Sequence, residues 1–105
     1  MDKWTAVKKS DLLLELYLIE QNLNFEDLEF WNSINIKPEI WSCSDVIEAN
    51  FWVVAKSTNH IIWYNDIEEG FIISDFKNEG EILNYTAKKQ ELEVTIQQLK
   101  LKLNA

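Results

Sequence analysis

At 105 residues, with 47% hydrophobic and 12% aromatic side chains, the chain reads as one domain, 1–105, able to bury roughly 65% of the surface its unfolded form exposes. It needs neither a disulfide nor a metal to fold. One cysteine, Cys43, rules out an internal disulfide and any Cys/His metal cluster, and suits a reducing cytoplasm. All ten basic residues are lysine and the formal net charge is −8, so the chain lacks the guanidinium fork that grips phosphates, repels nucleic acid and anionic membrane, and attracts cations and basic proteins.

The N-terminus places lysines before an apolar run, as a signal peptide does, but Glu15 and Glu20 break the run and no small-residue cleavage site follows. No segment is long enough to span a membrane. Leu12, Leu13, Leu16, Ile19 and Leu23 recur at helical spacing, with Ser10 placed to cap and Asp11 in the first turn, which predicts a helix over 11–22. Asn24 then caps a second, shorter helix, FEDLEFWNSI, with Phe25, Leu28 and Trp31 turned inward. Pro38 and the mixed stretch INIKPEIWSCSDVIEAN show no period and read as a connection with one helical turn around 44–49.

From Phe51 the pattern changes. FWVVA and IIWY are β-branched and aromatic runs joined by the turn residues KSTN, which predicts a hairpin. FIIS after Gly70 and EILNY after Gly80 supply two further strands. Thr86 is placed to cap a closing helix over 87–103, with Leu92, Ile96, Leu99 and Leu103 on one stripe and Lys100 and Lys102 at its negative end. The expected architecture is α+β: two N-terminal helices, an antiparallel meander of about four strands, and a C-terminal helix packed on the sheet. Trp31, Trp52 and Trp63 fall in apolar segments as core, whereas Trp4 and Trp41 lie outside them, where either packing over the edge of the core or, for one of them, service as an exposed anchor fits. Val94 and Leu101, off the main stripe, suggest a weak homodimer contact as the alternative to a monomer.

The charge is uneven. Residues 11–81 hold fifteen acids against Lys37, Lys56 and Lys77. In HIIWYNDIEEGF, Asp66, Glu68 and Glu69 crowd one turn, and Asp75, Glu79 and Glu81 follow near the next turns, opposed by Lys77 alone. A calcium loop needs alternating oxygen ligands over about twelve residues, and only Asp66 and Glu68 alternate here. An acid/base site would use Asp66, Glu68 and His60, the only histidine. The remaining readings are a surface that serves solubility and an acidic surface read by a basic partner, in which Trp63 and Tyr64 supply the apolar contacts. No cofactor is expected.

The run from Phe51 to about Leu99, through FWVVA, IIWYNDIEEGF, DFKNEGEI and KKQELEVTIQQL, resembles small acidic bacterial immunity proteins found beside secreted or contact-dependent toxins. The resemblance covers about half of the chain. It implies a cytoplasmic inhibitor that binds the toxin domain of its own strain. The acidic charge makes a basic toxin, a nuclease with a positive cleft above all, the expected partner, with the alternatives of a small metal-dependent or acid/base hydrolase using Asp66, Glu68 and His60, or of an adaptor pairing through its last helix.

Overall fold

A computed structural model of the chain describes residues 7–44, 48–86 and 88–103. The fold is α+β, in the order α1 (Lys9–Glu20), α2 (Phe25–Ile34), β1 (Asn35–Ser44), β2 (Glu48–Lys56), β3 (His60–Asn65), β4 (Gly70–Asp75), β5 (Glu81–Ile82) and α3 (Leu92–Leu103). One sheet has the order β4-β3-β2-β1-β5. The first four strands form an antiparallel meander, and β5 lies parallel to β1.

The apolar runs of β2 and β3 are continuous, not alternating, because both faces of the sheet are covered. Val54, Ile62, Tyr64 and Phe71 meet Leu12 and Leu16 of α1, Trp31 and Ile34 of α2, and Leu92, Ile96 and Leu99 of α3. The opposite face carries Trp41, Cys43, Phe51, Val53, Ile61, Trp63 and Ile72. No helix covers that face among the described residues. It is closed by Phe76, Ile82 and Tyr85 from the chain that leaves β4, with Phe51 and Trp63 ring centroids 4.8 Å apart and Trp41 meeting Phe76 edge-on at 5.4 Å. Trp41 is therefore core and not an exposed anchor, and Trp4 lies outside the described residues.

The helices are tied together by polar groups at their ends. Asn24 caps α2 as expected, its Oδ1 accepting from the Asp27 amide at 2.8 Å. Asp27 is itself buried and accepts from Gln97 Nε2 at 2.7 Å and Lys100 Nζ at 3.1 Å, which joins α2 to α3. Trp31 Nε1 donates to Glu20 at 2.7 Å and fixes the end of α1 against α2. Phe25, expected inside, is 78% exposed, because α2 turns Trp31 and Ile34 to the sheet and Phe25 out. α1 starts at Lys9 with no side-chain cap, two residues before the expected start.

Three expectations fail for physical reasons. The stretch read as a connection is the ten-residue β1. Pro38 sits inside it because the register of β1 against β2 is broken between Asn35 and Glu39, so the proline falls in a bulge where no ladder bond is lost. Ser44, Glu48 and Ala49 are strand, not a helical turn, and 45–47 lie outside the described residues. EILNY shrinks to the two residues of β5 and pairs in parallel, because Ile82 and Tyr85 pack across the aromatic face. Finally, α3 begins at Leu92, since Phe71 and Gln90 exchange both backbone hydrogen bonds, at 2.8 and 2.9 Å, and hold the preceding chain extended. Thr86 accordingly accepts from Lys88, at 3.2 Å, and caps no helix.

That close approach requires Gly70. A Cβ there would stand 2.4 Å from the Cβ of Lys89, and the Lys89 backbone would have to yield. Gly70→Ala should cost about 1–3 kcal/mol through overpacking, read as a lower urea midpoint with an unchanged slope. An unchanged or raised midpoint would show that the 88–91 segment does not lie across β4.

Candidate functional site

The turn Asp66–Glu69 is built by Asn65, which is fully buried. Its Oδ1 accepts from the amides of Ile67 and Glu68 at 3.1 and 3.2 Å, and its Nδ2 donates to the Thr86 carbonyl at 2.9 Å. One asparagine thus shapes the turn and ties it to the chain after β5. Glu69 takes the left-handed conformation, φ 59°, which costs an ordinary L-residue about 1–2 kcal/mol. Asp66 is half-buried, and its Oδ2 accepts from the Val7 amide at 2.7 Å while Trp52 Nε1 donates to the Val7 carbonyl at 2.7 Å. Asp66 therefore anchors the chain entering α1.

The six acids of this region do not form one patch. Asp66, Glu68 and Glu69 stand at one end of the β3–β4 hairpin. Asp75 stands at the other, paired in register with His60, whose Nε2 lies 3.1 Å from the carboxylate. Five strand steps separate the two ends, roughly 17 Å, about twice the screening length in physiological salt. Glu79 is paired with Lys56, and Glu81 belongs to β5 at the opposite sheet edge. The same distance parts His60 from Asp66 and Glu68, so those three residues do not converge. His60 is half-buried. Among the described residues, no three histidine, cysteine or acidic side chains are grouped to hold a metal ion.

Trp63 is wholly buried on the aromatic face, its Nε1 donating to Ser74 Oγ at 3.1 Å, and presents no surface to a partner. Tyr64 is nearly buried on the helical face beside Phe71. Burial pushes its phenol up to about 12, reinforced by Glu15, which accepts its hydrogen bond, and by the charges of Glu69 and Asp66. The Val94 and Leu101 side chains are exposed on α3.

The structure does bring acids together in another combination. A cleft of about 530 Å³ lies between α1, the start of β4 and the segment leading into α3. Glu15, Glu69, Glu91 and Glu93 line it over a floor that includes Ile19, Phe71 and Leu92, and Lys89 is the one base in the lining. Of the acids expected at a site, Glu69 alone reaches this cleft. Glu15, Glu91 and Glu93 were not expected there, since nothing local in the sequence relates positions so far apart. Their convergence follows from the Phe71–Gln90 pairing, which carries residues 89–93 past the turn. No helix of the described residues is long and apolar enough to cross a membrane.

The raised Tyr64 pKa has a consequence for stability. The folded value near 12 exceeds the ordinary phenol value of about 10, so native protein keeps a proton that the unfolded chain releases. Tyr64 thus contributes its full share of stability below pH 10, and that share is lost as pH rises from about 10 to about 12. The phenolate absorbance of wild type minus that of Tyr64→Phe should show a midpoint near 12, moving down but not fully back in Glu15→Gln because burial remains. A midpoint near 10 in the wild type would contradict the burial of this phenol.

Comparison of the chain with family models, curated proteins and solved structures yields no match, so the surface is read from its own residues alone.

Proposed function

We propose that this protein is a non-catalytic inhibitor that binds a basic protein partner, acting as an immunity protein that neutralises a cognate toxin domain in the cytoplasm. The observation that carries this reading is the convergence of Glu15, Glu69, Glu91 and Glu93, from three separate elements, on one open cleft. Like charges brought together cost stability through mutual repulsion, and a basic partner relieves that repulsion when it docks. A nuclease toxin fits the sign, because a cleft that holds phosphates must be positive, and carboxylates presented on a rigid rim take the place of the phosphates. The excess of acids over 11–81 extends the same field around the molecule and speeds the encounter.

The test is association kinetics with the purified cognate toxin domain, at several salt concentrations. Glu69 and Glu91 are exposed, so Glu69→Gln/Glu91→Gln should fold normally, slow association severalfold at low salt and flatten its salt dependence. Dissociation should change less. Unchanged rates and an unchanged salt slope would set the acidic cleft aside as ordinary surface.

A further inference from the structure

α1 is apolar on two sides. Leu12 and Leu16 enter the core, whereas Leu13 is 45% exposed and Leu14, Tyr17 and Leu18 are each more than half exposed. At about 100° per residue these four outward side chains cover an arc of about 140°. Single exposed leucines need no explanation, but four adjoining apolar side chains on two helical turns form a patch that water solvates poorly. The same projection puts Asp11 and Glu15 along one border of the arc and Glu20 with Lys9 along the other. Glu15 is also a wall of the acidic cleft, so the apolar face and the cleft are one continuous surface.

We infer that this outward face of α1 is the apolar centre of the docking surface, and that its occupant is a basic protein presenting an apolar patch bordered by lysines or arginines. The inference rests on the reading of a basic partner and adds where that partner sits and what gives the complex its lifetime. Charge decides the occupant. A second copy would set three acids, Asp11, Glu15 and Glu20, against the same three with Lys9 as the one base on that border, in a chain of net charge −8. A standard interface also takes roughly 800 Å² from each partner, more than four partly exposed side chains supply, so the cleft rim must share in the contact. The arrangement has the usual anatomy of an interface, an apolar centre with a charged border. The border steers association and the desolvated leucines slow dissociation.

The probe is a synthetic amphipathic helix of about five turns made of leucine and lysine, compared with the same pattern in leucine and glutamate and with oligolysine. Amide shifts of the labelled wild-type protein should move at Leu13, Leu14, Tyr17 and Leu18 and along the cleft with the leucine–lysine peptide, and not with the leucine–glutamate one. Leu14→Gln/Leu18→Gln, at two exposed positions, should keep the melting temperature and weaken that binding by about tenfold or more. Four results would overturn the inference. Binding untouched by the double substitution would confine the contact to the cleft and leave the basic-partner reading standing. Equal binding of the leucine–glutamate peptide would remove the charge argument. A dimer abolished by the double substitution would make a second copy the occupant. Absence of binding by either basic probe would remove the basic-partner reading as well.

Discussion

Two hydrogen bonds between Phe71 and Gln90 decide how this molecule is put together. They pair the start of the outer edge of β4 with a short extended segment, and an edge strand left open invites pairing with other chains. They hold residues 88–91 out of the helix, so that α3 starts at Leu92 and lands its stripe of Leu92, Ile96 and Leu99 on the sheet. They also bring Lys89 so close that only glycine fits at position 70. The surface at that end follows from the same pairing. Glu91 and Glu93 are carried past Glu69, and α1, anchored through Val7 to Asp66 and Trp52, supplies Glu15 to complete the cleft.

The energetics of this end of the molecule are those of a surface held ready at some cost. Glu69 occupies a left-handed conformation, Asn65 shapes the turn with its Oδ1 and holds the Thr86 carbonyl with its Nδ2, and four glutamates surround an opening with a single lysine. Beneath them Tyr64 keeps its proton far beyond the ordinary range, because a phenolate there would be buried and would face Glu15, Glu69 and Asp66. The opposite end is quieter. His60 Nε2 lies against Asp75, and Lys56 pairs with Glu79 and so neutralises that acid within the chain.

Local patterns were legible in the sequence wherever a periodic apolar segment met a recognisable cap or turn. Both N-terminal helices, the Asn24 cap, the β2–β3 hairpin and the packing of a last helix on the sheet follow from such signals. A four-stranded antiparallel meander was also legible, though with a wrong member. β1 carries a proline and no clean alternation because its register is broken between Asn35 and Glu39, and EILNY looked like a strand because Ile82 and Tyr85 are apolar for the sake of the aromatic face. At the site the acids of one turn were visible as a cluster, yet only Glu69 lies in the cleft. Asp66 proved to be an anchor, a role that depends on Val7 far away in sequence, while Trp63 is core, as its apolar segment indicated, and no partner contact. What escaped was the long-range pairing that brings Glu15 and Glu91 to the same opening, and the outward leucines of α1, which share helical spacing with the inward ones.

The central claim is that the cleft and the outward face of α1 form one surface assembled before any partner arrives, held by the Phe71–Gln90 pairing. Native-state hydrogen exchange of the free protein tests it directly. The amides of Phe71 and Gln90 should exchange as slowly as that of Trp63 in the centre of the sheet, because all three open only when the domain unfolds. Exchange of Gln90 orders of magnitude faster than Trp63 would mean that the 88–91 segment detaches freely, and that no standing cleft exists for a partner to meet.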